Sequence, residues 1–250
     1  MTKKILKIGI RNQYCYICKL FEKMRYLLIY TFLILCGFRA HSQINELGLF
    51  IGGVNYIGDI GPTDYVAPNK AGFGILYKWN KSPRHAYRFS YTQGKLTSND
   101  LDSDVPSRNL RGNAFENGVK EFSAGLEFNF LDFDLHDGDR KISPYVYSGL
   151  SYAIYDEIYI LDNNSKEDYQ RGAFAIPMIF GVKARLFERF VLAAEVGFRY
   201  TFTDNLDGSN PKNNNFETLR FGNKNSNDWY VFSGLTLTYT FGKNPCFCAE

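Results

Sequence analysis

The sequence predicts an all-β fold, an eight-stranded antiparallel up-and-down transmembrane β-barrel with short periplasmic turns and long outer loops. Three observations predict it. Apolar residues recur with a period of two along most of the chain, which gathers them on one face of a strand and would smear them around a helix. Two of these rows run about thirteen residues, longer than the five or six usual in globular sheets. The connections alternate long and short, as they do in outer-membrane barrels. Composition agrees, with 18 Tyr, 22 Phe and 22 Gly against 8 Pro. Beyond the N-terminal region no apolar run approaches the roughly 20 residues a spanning helix needs, so a polytopic helical protein is excluded.

The first element is an export signal. Met24-Arg25 opens a cationic region, Tyr26 to Phe38 form an apolar run, and Ala40-His41-Ser42 gives a small-residue cleavage site before Gln43. This run is too short for a stop-transfer helix and reads as a cleaved signal peptide. Residues 1–42 are therefore assigned to the signal, with 1–23 as an over-called extension ahead of a start at Met24. Those residues hold eight Lys/Arg and one acid, so removing them turns 29 bases and 26 acids into 21 and 25. A mildly acidic mature chain gives nucleic-acid binding no support. Cys15, Cys18 and Cys36 leave with the signal, and only Cys246 and Cys248 remain, in a short tail at 243–250. A zinc site joining Cys15-x-x-Cys18 to that tail would be separated by cleavage.

The barrel is assigned to residues 43–242. Its first strand, 46–58, is rich in Gly, Tyr and Ile. The second turns Ala71, Phe73, Ile75, Tyr77 and Trp79 one way and Gly72, Gly74 and Lys78 the other. In the third, Tyr87, Phe89 and Tyr91 oppose Arg88, Ser90 and Thr92; in the fourth, Phe122 to Phe130 oppose Glu121, Ser123, Gly125 and Glu127. The fifth, 144–155, is less regular. The sixth runs from Phe174 to Leu186 with Lys183 and Arg185 in step, and the seventh from Phe190 to Phe202 against Glu195, Gly197 and Arg199. In the eighth, Val231 to Phe241 oppose Gly234, Thr236, Thr238 and Thr240. Shorter links fall at 80–84, 131–143 and 187–189, and long polar ones at 59–69, 97–117, 156–173 and 203–228. A soluble sandwich or lipocalin-like barrel would turn the apolar rows inward; strand length, aromatics at row ends and Gly and Thr in the polar rows favour the membrane form.

With the polar rows inside, Lys78, Arg88, Glu121, Glu127, Lys183, Arg185, Glu195 and Arg199 form a lumen charge network. Charges in so narrow an interior must pair, which points to a structural plug in preference to a pore. An outer-membrane hydrolase needs a His beside a nucleophile. His85 and His136 both fall in turns, without a Gly-x-Ser-x-Gly elbow, so no enzyme is expected. Asp132, Asp134, Asp137 and Asp139 with Gly138 imitate a calcium loop, but the spacing is one residue too long and reads as a solvated turn. No metal or other cofactor is expected. Asp204, Asp207 and Asp228 with Trp229 are placed at the outer-loop rim.

Asn55-Tyr56-Ile57-Gly58-Asp59, Leu126 to Phe130, Thr203 to Asp207 and Asn227 to Tyr230, with Glu195 and Arg199 on the penultimate strand, resemble the PorG-like barrel family over nearly all of 44–242. The resemblance implies a small outer-membrane barrel, and a non-catalytic role in a type IX protein-secretion apparatus. There it would anchor or position periplasmic components, with a periplasmic ring lipoprotein and its partner as binding partners alongside outer-membrane lipid. No small-molecule substrate is expected. The contact is assigned to Arg84, His85, Asp132, Asp134, His136 and Asp137. A surface adhesion or ligand-binding barrel acting through its outer loops is the alternative.

Overall fold

In the computed structural model, residues 44–135, 141–223 and 226–242 are described. The signal region, the tail with Cys246 and Cys248, and His136 and Asp137 lie outside the described residues. The eight strands are β1 (Asn45–Ile57), β2 (Lys70–Asn80), β3 (His85–Asn99), β4 (Ala114–Asn129), β5 (Ile142–Leu161), β6 (Asn164–Phe187), β7 (Phe190–Thr201) and β8 (Trp229–Phe241). Each pairs with the next, and β8 closes on β1 to complete the barrel. The closing seam is antiparallel and unbroken from Asn45↔Phe241 to Ile57↔Trp229. Since side chains alternate along every strand, one row faces in and the other out all the way round.

The predicted polarity of the wall holds. Leu47, Ile51, Ile75, Phe122, Leu150, Phe180 and Leu235 stand exposed on the outside. Lys78, Arg88, Glu121, Glu127, Lys183 and Glu195 are buried inside. Aromatic pairs mark both ends of the outer surface. Trp79–Tyr87 and Phe190–Tyr239 sit at the turn end, each with ring centroids 5.4 Å apart, and Tyr200–Trp229 (5.0 Å) and Tyr152–Phe174 (5.2 Å) towards the loop end.

Two expected loops are corrected. The link 156–173 is mostly strand: β5 and β6 continue past the wall and meet at Asp162-Asn163, whose φ values of 50° and 63° make the tight turn. Positive φ at both central residues is what a two-residue hairpin with right-handed twist needs. A register shift between Glu157 and Ile158 breaks the phase of the alternation, which hides this extension from a period-two reading. The link 97–117 shortens to 100–113 and carries a turn of helix, α1 (Pro106–Arg111), ended by Gly112 at φ 67°.

Inside, the glycines have a packing reason. Gly234, Gly52, Gly72 and Gly94 are consecutive cross-strand partners on β8, β1, β2 and β3. Over this bare shelf lie Phe50 and Phe232, packed edge to face at 6.1 Å. A Cβ at Gly72 would meet the Phe232 ring at 2.9 Å, and one at Gly52 the Phe50 ring at 2.8 Å. Gly72→Val is therefore expected to cost about 1–3 kcal/mol, the usual cost of overpacking. Denaturant midpoints of the refolded barrel measure this; an unchanged midpoint would mean that Phe232 can move aside.

Candidate functional site

The lumen is filled in three layers. Nearest the turn end, Glu127 lies between two ammonium groups, with Lys78 Nζ 2.8 Å from Oε2 and Lys183 Nζ 2.7 Å from Oε1. Arg88 lays its guanidinium fork on both oxygens of Glu195 at 2.8 Å each, and Tyr145 donates to the same carboxylate at 2.6 Å. Arg199 reaches Glu121 at 3.3 Å, and Tyr230 donates to Glu121 at 2.5 Å. Seven of the eight lumen charges named from sequence thus join in pairs. The eighth, Arg185, lies at the turn end and donates to the Glu188 carbonyl at 2.7 Å.

Sequence reasoning missed a further buried acid at the turn end of the lumen. Glu46 accepts from Thr238 Oγ1 at 2.6 Å and from Asn80 Nδ2 at 2.8 Å. Its row on β1 continues through Phe50, Val54 and Tyr56, all buried, so no polar alternation announced it. The readable signal was register, because Glu46 stands opposite Lys78 on β2 and Thr240 on β8.

The loop end is stoppered by the chain itself. Residues 203–211 are buried throughout. Asp228 holds this segment through the Leu206 amide (2.8 Å), while Tyr56 donates to its other oxygen at 2.5 Å. Asn117 donates to the Leu206 carbonyl and Asn205 to the Ile158 carbonyl, at 2.8 and 3.0 Å. The other loops lock on: Asp100 accepts from Gly61 N and from the Arg111 fork, and Asp59 accepts from Asn223 N. Asp204, Asp207 and Asp228 are therefore not rim residues. They are interior groups of the cap, at most 7% exposed. Only Trp229 keeps a half-exposed position, packed on Tyr200. Segments 55–59, 203–207 and 227–230, distant in sequence, meet here.

Burial also changes the chemistry of these acids. It pushes the Asp204 carboxyl up to about 6, against the pull of its Asn210 partner. Burial, reinforced by the Asp207 charge, holds Asp228 well above the ordinary carboxylate range, and burial raises Asp207 too. Acids that bind protons more tightly folded than unfolded stabilise the folded state below their ordinary pKa, and that contribution is lost as pH rises through the folded value. Amide-exchange protection of 203–211, corrected for intrinsic rates, is expected to fall as pH rises from about 4 through about 6. Protection that is flat or rising over that window would contradict it.

The turn end is closed by the 131–135 segment. Phe133 and Leu135 pack with Ile44 and Val191, and Lys183 stands 4.7 Å from the Phe133 ring centre. Of the proposed contact residues, Arg84 and Asp132 form an exposed ion pair at 2.5 Å. His85 faces Ser82 at 3.2 Å and packs on Phe128, and Asp134 is half-buried between Phe133 and Leu135. Among the described residues, no three His, Cys, Asp or Glu side chains gather as metal ligands.

A family model described as "Domain of unknown function (DUF6089)" matches residues 25–250. No curated protein matches the sequence. Among solved structures, the chain is similar to Ail, the attachment invasion locus protein of Yersinia pestis, crystallised with the heparin analogue sucrose octasulfate (11% identity, 80% of this chain and 100% of that one, TM-score 0.44). It is similar also to Neisserial surface protein A (11%, 80% and 96%, 0.45). The N-terminal β-barrel domain of Pseudomonas aeruginosa OprF gives 14% identity over 80% and 100%, with a TM-score of 0.42. With all three scores below 0.5, the closed ring of strands rests on this chain's own pairings.

Proposed function

The chain belongs to the DUF6089 family, and from that premise we propose a non-catalytic, integral outer-membrane barrel that anchors periplasmic components of a protein-secretion apparatus. The observation that carries the membrane placement is the inverted wall: full charges buried and paired inside, Ile51 and Phe180 more than half exposed outside. Water would leave that belt unsatisfied, whereas a lipid core with aromatic girdles at its two faces matches it. A lumen packed with ion pairs and stoppered at both ends leaves the end surfaces as the working parts. The end that carries the β2–β3, β4–β5 and β6–β7 connections, with the start of β1 and the end of β8, is taken as the periplasmic one. The PorG-like resemblance supplies the finer reading, a type IX apparatus with a ring lipoprotein as partner.

The test is recovery of partners from cross-linked membranes. Arg84→Glu and Asp134→Lys are expected to weaken recovery of a periplasmic lipoprotein complex while the barrel still assembles. Intact recovery in both, with loss only on altering the 203–228 loop, would overturn the periplasmic reading. One observation favours that second reading, recognition through the outer loops. They interlock into one cap that leaves Tyr65 and Leu110 exposed, and a preorganised surface loses little entropy on binding.

A further inference from the structure

A groove of about 780 Å³ lies on the outside of the barrel near its loop end, within the size range of small-molecule sites. Its wall is apolar and belongs to the outward rows: Met178 and Phe180 of β6, Phe198 of β7 and Trp229 of β8. The loops supply its polar part, with Asp59, Arg108 and Asn223. Asp59 already accepts the Asn223 amide proton and lies in the field of Arg111. Arg108 is different. It is half-buried on α1, one of its nitrogens donates to the Gly61 carbonyl at 2.6 Å, and no carboxylate among the described residues pairs with it. A guanidinium offers five N–H donors, so most of its capacity is unused.

We propose that this groove seats an anionic lipid of the surrounding leaflet, its acyl chain along Met178, Phe180 and Phe198 and its headgroup on Arg108. The floor is continuous with the lipid-facing belt, so a chain enters sideways without leaving the bilayer. Among the described residues that line the groove Arg108 is the one cation, and it selects an anionic head. The inference rests on the membrane placement proposed above.

The protein carries its own reporters, because its two tryptophans are Trp229 in the groove and Trp79 at the opposite end. The full mature chain with Trp79→Phe is placed in phosphatidylcholine vesicles containing a brominated-chain lipid at matched fraction, either phosphatidic acid or phosphatidylcholine. Brominated phosphatidic acid is expected to quench Trp229 with about fivefold preference, the ratio that ~1 kcal/mol per basic residue gives near a charged lipid surface. Arg108→Gln should abolish the preference and Arg108→Lys largely keep it. Equal quenching by the two lipids, or a preference that survives Arg108→Gln, would overturn the lipid site. So would Trp229 shielded from both lipids while Trp79, read in a Trp229→Phe chain, is quenched, which is what a second copy seated in the groove would give. If neither tryptophan is quenched by either lipid, the membrane placement itself fails.

Discussion

Glu127→Ala is expected to lower the stability of the barrel by about 3–5 kcal/mol, the cost of leaving buried charges without their partner. The carboxylate is fully buried between Lys78 and Lys183, with Arg88 3.7 Å away, and its removal crowds three cations around one gap. Glu127→Gln keeps the shape and removes the charge, so it should fall between wild type and Ala. Heat or denaturant unfolding in vesicles, followed by the mobility shift of folded barrels in gels, gives the number. Planar-bilayer recording should show no sustained conductance in either variant, since Tyr145, Phe133 and the 203–211 segment still fill the lumen. A midpoint unchanged in both variants would mean that the cations find other partners, and a selective current would mean that the stoppers move.

Val196→Arg has the second largest expected effect, about 2–4 kcal/mol, the cost of a cation on the lipid face near the middle of a bilayer. Val196 is near the centre of β7, opposite Phe180 on β6 and Ser233 on β8, with its side chain outward. Thr238→Leu is the paired control. Thr238 is inward and holds Glu46, so an apolar replacement there should also destabilise, through the lost hydrogen bond. If Val196→Arg assembles normally while Thr238→Leu alone fails, the belt faces water and the membrane placement is wrong.

The strands that span the belt were legible because their two rows differ in chemistry at every step: Phe122, Ala124 and Leu126 against Glu121, Ser123 and Glu127. Three parts were not. The Glu157–Ile158 irregularity moves the phase of β5, so the tall β5–β6 hairpin reads as polar loop. Above the belt, Gln93, Lys95, Glu116 and Lys120 face outward, which removes the apolar signal while the ladder continues. The acids at 204, 207 and 228 read as rim groups because sequence gives no sign that a loop turns back into the mouth. The contacts of Asp228 with Tyr56 and the Leu206 amide, and of Asn117 and Asn205 with the same segment, make them interior.

The seam between β1 and β8 bears on how this chain reaches its final form. Seven of the eight pairings around the ring join neighbours in sequence, whereas the eighth joins Asn45 to Phe241. Contacts between neighbours form early, and those of long separation wait on the entropy of closing the whole chain. Until the last strand arrives, the growing sheet has two open edges, each a row of unpaired amides and carbonyls ready to join another chain. Buried lysines and arginines face water throughout that interval and lose it in one event, when the ring shuts. Closure of the ring and dehydration of the charged interior are thus coupled, and a chain cut short before Trp229 could complete neither.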